Sequence, residues 1–322
     1  MNASRILRAS ILAMAGFGAC MFVAQSASAA APLVKGTPGY YRVMVGDIEV
    51  TPLNDGTVQL PVADLLTGAA PGEVNKALAK AYQKSPLETS FNGFLINTGS
   101  KLVLVDTGAG KFFGPTLGNL LANLKAAGYQ PEQVDEIYIT HMHSDHIGGL
   151  LADGKATFPN AILRADKHET DYFLSQAHLD KATPEEKGGF QNSQAAFKPY
   201  IDAGHFKAIE ADGELVPGVK SRAAYGHTPG HTTYVVESNG QKLVLWGDLM
   251  HVAAVQFPDP SVTIKFDSDS KAAEAQRKKA YVEAAKEGYL VAGAHLSFPA
   301  IGRIRAEGKG YVWVPLNYSP VK

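Results

Sequence analysis

The chain has 322 residues, 30 Lys+Arg against 31 Asp+Glu, and a formal net charge of −1. Near-neutral charge without a basic stripe speaks against a nucleic-acid partner. A single cysteine, Cys20, excludes a disulfide framework and leaves nitrogen and oxygen as the donors for any metal.

In chain order, Arg5 and Arg8 precede an apolar stretch from Ile11 to Val23 and then Gln25-Ser26-Ala27-Ser28-Ala29. That is the layout of a secretory signal peptide over 1–29, with cleavage near Ala30, and the apolar run is too short to span a bilayer. A lipoprotein anchor at Cys20 is the weaker alternative, because the apolar segment continues past it. The protein is therefore expected to be exported, periplasmic or secreted, and free of the membrane once the leader is removed. Residues 30–322 show no repeat, low-complexity stretch or linker and read as one domain.

Tyr41 to Val50 alternates apolar and polar residues, as a half-buried strand does. Phe94–Asn97 and Leu102–Val105 predict strands around an Asn97-Thr98-Gly99-Ser100 turn. Helical spacing runs from Leu117 to Ala127 and stops at Gly128. Ile137–Thr140 is a short buried strand that delivers the chain into His141. Residues 168–215, rich in aromatics, Lys, Glu and Gly, read as an insertion of helical pieces and mobile loops. Thr232–Glu237 and Leu243–Trp246 predict a hairpin about Asn239-Gly240. Lys271–Lys286 predicts a helix stopped by Gly288, and Tyr289–Ala292 a last buried strand that runs towards His295. Strands mixed with helices at this length indicate an α/β or α+β layered domain.

All ten histidines lie between 141 and 295, and three of them fall with an acid in His141-Met142-His143-Ser144-Asp145-His146. A lone histidine on an apolar face is commonly structural, but four ligand-type groups in six residues indicate a metal site. After a strand, His141 and His143 point the same way, and the chain then turns so that Asp145 and His146 can face a second centre. Gly148-Gly149 lets the backbone fold tightly there. Three further apolar runs end on ligand-type groups: Gly226-His227-Thr228-Pro229-Gly230-His231, Gly247-Asp248 and Ala294-His295. Sites are commonly built at such strand ends. Asp106-Thr107-Gly108 lacks the second copy an aspartic protease needs.

These four blocks, in this order, resemble the metallo-β-lactamase fold superfamily over essentially the whole of 30–322. The resemblance implies a four-layer αβ/βα sandwich with a dinuclear site at one edge of its sheets. By that likeness His141, His143 and His227 hold one divalent ion, Asp145, His146 and His295 hold the other, and Asp248 bridges them. The ions would be Zn, with Mn, Co or Fe as alternatives. Asp145 and Asp248 would assist catalysis by a hydroxide held between the cations. His231 would orient the His227 loop. The resemblance also implies a supporting role for Asp106-Thr107-Gly108 behind the site.

Within the superfamily, Pro86–Ser90, 118–143, 226–237 and 303–311 look like methyl parathion hydrolases, a subgroup that includes dihydrocoumarin-type aryl lactonases. The likeness implies an aromatic funnel made by Phe113, Phe173 and Phe190, and a homodimer. The chain has His251, Ile264 and Phe266 where that subgroup carries Leu, Thr and Leu, and Leu65-Leu66 where that subgroup places an arginine. These changes narrow the pocket. The expected activity is hydrolysis of aryl lactones or esters, with weak organophosphate triesterase activity alongside. The runner-up is organophosphate hydrolysis as the main activity, and a non-catalytic exported metal-binding protein is the alternative of another class.

Overall fold

In a computed structural model, residues 36–210 and 212–320 are described. The expected leader, 1–29, lies outside them.

Two sheets form the centre. The first runs Val43–Val45, Ile48–Leu60, Leu87–Asn97, Leu102–Val105, Glu136–Tyr138 and Ile162–Arg164 in spatial order. The second runs Gly213–Val216, Val219–Ala223, Thr232–Ser238, Gln241–Leu245, Leu290–Ala292, Ile301–Glu307 and Gly310–Pro315. Period-2 alternation divides each strand of the first sheet between two cores. Phe94, Ile96, Val103 and Val105 face the second sheet, where Tyr234, Val236, Leu243 and Val291 belong to the same cluster. Leu95, Leu102, Leu104 and Ile137 point the other way, onto Leu120, Leu124, Phe173, Phe197 and Tyr200 of the flanking helices. The helix Ser270–Glu287 covers the outside of the second sheet through Tyr281 and Ala284. Helices, sheet, sheet and helix make the four-layer α/β sandwich.

The strands that matter most for the site are the parallel ones. Leu102–Val105, Glu136–Tyr138 and Ile162–Arg164 are mutually parallel, and Gln241–Leu245 is parallel to Leu290–Ala292. Their carboxyl ends lead into Asp106, His141, Asp166, Asp248 and His295, and open α/β sheets bind ligands at such ends. Two bonds tie the halves beside them: Tyr234 donates its hydroxyl to Ile139 O at 2.8 Å, and Thr232 N donates to Thr140 O at 2.8 Å.

Most predicted elements form with shifted ends. The helix expected from Leu117 begins at Leu120, because Asp55 holds the amide of Gly118 outside the helix and takes that of Leu120, its first residue, at 3.0 Å each. Asp55 reaches inward from a bulge between Asn54 and Gly56 in the strand Ile48–Leu60. The helix Ser270–Glu287 starts on Asp269, whose Oδ1 accepts from Lys271 N and Ala272 N at 3.0 Å each, and ends on Gly288 at φ +69°.

The stretch expected as helical pieces and mobile loops is mostly helix: Lys167–Phe173, Gln176–Lys181 and Pro184–Asp202. Asp166, Ser175 and Thr183 cap these three in turn. The end of the stretch, Gly213–Val216, is the edge strand of the second sheet.

Candidate metal centre

Local chain geometry explains how six consecutive residues can serve two centres. After the strand Glu136–Tyr138 the chain passes through His141 to His143, which is extended, and Ser144–Ile147 makes one helical turn that carries Asp145 and His146. The next two glycines have no room for a side chain. A Cβ on Gly148 would stand 2.0 Å from Ala109 O, and one on Gly149 2.0 Å from Thr107 O. The loop thus packs directly on the Asp106-Thr107-Gly108 turn.

Two groups of donor atoms result: His141, His143, His227 and Asp248, and Asp145, His146, Asp248 and His295, with the atoms of each group within 4.8 Å of one another. Donors held about 2.0–2.1 Å from a tetrahedral cation stand roughly 3.3 Å apart. In the first group His143 Nδ1 is 3.1 Å from both His141 Nε2 and His227 Nε2. Asp248 Oδ2 is 3.6 Å and 3.4 Å from the same two nitrogens. In the second, His146 Nε2 lies 3.3 Å from Asp145 Oδ2 and 3.3 Å from Asp248 Oδ1, and His295 Nε2 lies 3.2 Å from Asp248 Oδ2. Asp248 is the one residue common to both groups.

The chemistry of these donors fits two divalent cations. Four of the five histidines give their Nδ1 proton to an acceptor, which leaves the Nε2 lone pair facing the centre. His227 donates to Asp267 Oδ1 at 2.8 Å, His146 to Asp106 Oδ2 at 2.9 Å, His141 to Thr140 Oγ1 at 3.1 Å and His295 to Ser90 O at 3.2 Å. His146 Nε2 and Asp248 Oδ1 are buried and have no hydrogen-bond partner among the described residues. Such atoms are costly to bury unless something binds them.

The electrostatics differ between the groups: outweighing burial, Asp248 and Asp145 hold His146 well above and His295 above the usual imidazole range, a positive charge that cations would supply in their place. Burial would raise the Asp248 carboxyl, but His295, His146, His251 and His141 hold it well below the usual carboxylate range. Burial pushes His141, His143 and His227 down, so these imidazoles are neutral donors.

Asp106 is the support expected behind the site. Its Oδ1 accepts from Thr140 N at 2.8 Å, and its Oδ2 accepts from the Thr140 hydroxyl at 2.8 Å and from His146. It does this from φ +58°, a left-handed conformation that a non-glycine residue adopts at a cost. His231 plays a different part from the one expected. Its Nε2 accepts from the amide of Asp248 at 3.0 Å, so its ring braces the Asp248 loop rather than the His227 loop.

The expected pocket residues separate into three sets. Phe173, His251 and Phe266 reach the centre: Phe173 meets the His143 ring edge-on at 6.1 Å, and His251 stacks on His295 at 5.2 Å and 15°. His251 Nε2 is 3.1 Å from Asp248 Oδ2, and half-exposed Phe266 lies 6.1 Å from the His251 ring. Leu66, Ile264 and Phe190 stand one layer back. Leu66 and Ile264 pair across a small ribbon within a separate apolar cluster, with half-buried Leu65 packed against it. Phe190 packs behind Phe173 at 5.4 Å. Ile264 at 1% and Phe190 at 3% exposure have almost no surface to offer a substrate, so they act through what they support. Phe113 is half exposed on the loop after Lys111.

Sequence reasoning missed Asp267, Phe91 and Glu169. Phe91 stands edge-on to His295 at 4.7 Å. Nothing local marks these three, because each meets its histidine or histidine loop only through the fold.

The family described as Metallo-beta-lactamase superfamily matches residues 91–295, well over half of the chain. The chain belongs to this superfamily.

Among superfamily members, an N-acyl homoserine lactonase of Bacillus cereus is 29% identical over 162 residues, 49% of this chain and 55% of that protein. The chain thus spans about half the length of that relative. The N-acyl homoserine lactonase of Bacillus thuringiensis is 26% identical over 212 residues, 60% of this chain and 76% of its own length. The solved hydrolase AbOPH in the beta lactamase superfamily is 38% identical, with a TM-score of 0.84 over 89% of this chain and all of that one. AidC, a dizinc quorum-quenching lactonase solved with a product, N-hexanoyl-L-homoserine, is 26% identical, with a TM-score of 0.81 over 88% of this chain and 99% of that one.

Proposed function

We propose that this superfamily hydrolase opens lactones and cleaves aryl esters at a centre of two zinc ions, with organophosphate triesters as poorer substrates. The observation that carries the reading is the position of Asp248 between two donor groups whose buried atoms lack other partners. The lactonases among its relatives, AidC among them as a dizinc enzyme, support the substrate class and the metal. His141, His143 and His227 would hold one ion, Asp145, His146 and His295 the other, and Asp248 both.

Bound divalent cations lower the pKa of water into the neutral range and polarise a carbonyl. The chain's own residues do the rest. Asp145 and Asp248 offset the positive charge of the ions. Asp267, Asp106, Thr140 and Ser90 O fix the imidazole tautomers, so that the lone pairs need no rearrangement. The Phe173 and Phe91 rings stand against His143 and His295 and keep bulk water from that side. His251, stacked on His295, offers a flat imidazole face with the tilted Phe266 ring beside it, which suits a planar ring better than a tetrahedral triester.

The deciding experiment compares kcat/KM of the zinc-loaded protein for dihydrocoumarin, N-hexanoyl homoserine lactone and methyl parathion. Both lactones should exceed the triester; a larger value for the triester overturns the ranking, and no turnover of any of them overturns the enzymatic reading. Asp248→Ala should abolish activity and bound metal together, and full activity would refute the ligand set. In this reading the leader 1–29 also takes the protein out of the cytoplasm, which N-terminal sequencing of the protein from culture fluid or periplasm tests.

A further inference from the structure

The helices between 167 and 202 supply none of the proposed ligands, yet they grip the main chain of the loops that do. Glu169, in the helix Lys167–Phe173, is fully buried. Its Oε1 accepts from Met142 N at 2.7 Å and its Oε2 accepts from Gly230 N at 2.7 Å. Met142 is the residue between His141 and His143, and Gly230 lies in the loop that carries His227. One carboxylate therefore joins the two loops that carry all three histidines of one donor group. The fit is close: a Cβ on Gly230 would stand 2.3 Å from Glu169 N and 2.6 Å from Glu169 Cβ.

The other side of the same peptide segment is also held. Ser193 Oγ, fully buried in the helix Pro184–Asp202, lies 3.0 Å from Met142 O and 2.9 Å from Gly189 O and shares its proton between them. Met142 thus meets a side-chain acceptor at its N–H and a side-chain donor at its C=O. The second donor group is braced differently, by Asp106 on His146, His231 on the Asp248 amide and Ser90 O on His295.

We infer that Glu169, aided by Ser193, is a positioning residue that sets the spacing of His141, His143 and His227 and so controls the affinity of that one cation site. The inference rests on the two-cation reading above. Its physical basis is that both oxygens of the Glu169 carboxyl accept, one amide each. A glutamine of the same shape would turn its own NH2 towards one of them, and two buried donors facing each other would push the loops apart. Groups that orient metal ligands in this indirect way commonly change metal affinity by about 10–100-fold when removed.

The test is a stepwise zinc titration of the metal-stripped full chain against a chromophoric chelator, for the natural protein, Glu169→Gln, Ser193→Ala and His227→Ala. The natural protein should take two equivalents, and His227→Ala identifies the step that belongs to the three-histidine group. Glu169→Gln should weaken that step by about 10–100-fold and leave the other within about threefold. Ser193→Ala should weaken the same step by less. Unchanged steps in Glu169→Gln, or an equal weakening of both as in a generally loosened fold, would overturn the inference. If Glu169→Gln does not fold, Ser193→Ala decides on the same criterion. Fewer than two equivalents in the natural protein would instead overturn the two-cation reading itself.

Discussion

At the scale of the residue, the centre shows how burial converts ordinary side chains into ligands. Four of the five ligand imidazoles reach their role because a neighbour takes one proton and leaves one lone pair. His251 has no such neighbour: neither ring nitrogen has an aligned hydrogen-bond partner among the described residues. Its contribution is a flat, buried surface beside Asp248. In His251→Leu the ratio of kcat/KM for methyl parathion to that for dihydrocoumarin should rise about tenfold, a change that needs only about 1.4 kcal/mol. An unchanged ratio would show that His251 does not shape the pocket.

Glu169 adds a pH dependence. Burial pushes its pKa up to about 7 from the ordinary 4.5, against the opposing pull of its two amide donors. The folded chain then holds this proton more tightly than the unfolded chain does, so its contribution to stability is lost as pH rises from 4.5 to about 7. The difference is about 3 kcal/mol at most. Urea unfolding of the metal-stripped protein at pH 5 and pH 8 should show a decline that is smaller by up to that amount in Glu169→Gln. Equal declines would mean that Glu169 stays ionised throughout.

At the scale of the element, the helices behave as their caps dictate, while their tertiary partners set where they begin. The helix Ser270–Glu287 is bounded by local chemistry at both ends, Asp269 and Gly288, so its limits were legible from sequence within a residue. The helix at Leu120 was not, since its first turn is taken by Asp55, far away along the chain. Asp269→Ala should remove one cap, costing about 1 kcal/mol and about 2–4 °C in Tm, with metal content unchanged. A calorimetric scan with paired metal analysis checks both. The strand runs were equally legible, because alternation divides Phe94, Leu95 and Ile96 between two cores whichever strands lie alongside.

At the scale of the molecule, the centre sits where the two halves meet, and the ligands of each group come from both. Asn92, on a strand of the first sheet, carries one of the joining contacts. Its side chain donates to Ala294 O and Leu296 O at 2.9 Å each, on either side of His295. Asn92→Ala leaves two buried carbonyls without that donor and should lower stability by about 1–3 kcal/mol, measured by urea unfolding. It should also weaken metal retention during dialysis, and undiminished retention would mean that His295 is held without Asn92. Because ligands from both halves would share each ion, a chelator should lower Tm strongly. At a thousandfold excess of metal over Kd the bound ion contributes about 4 kcal/mol.

What the sequence by itself determined was the set of chemically committed residues and the order in which strands deliver them. Six consecutive residues after a buried strand, and three later strands that each end on a ligand-type side chain, are local patterns; local geometry makes them readable. Tertiary structure alone decided which distant groups complete them. Asp267 meets His227 across 40 residues, and Glu169 meets Met142 across 27 and Gly230 across 61. It also decided which rings touch the histidines: Phe173 meets His143 and the exposed Phe266 lies beside His251, while Ile264 and Phe190 lie in the core behind them. Composition and spacing carry no record of such meetings, because whether a side chain faces a site or supports it depends on which layers pack together, and in this chain the second layer is drawn from everywhere along it.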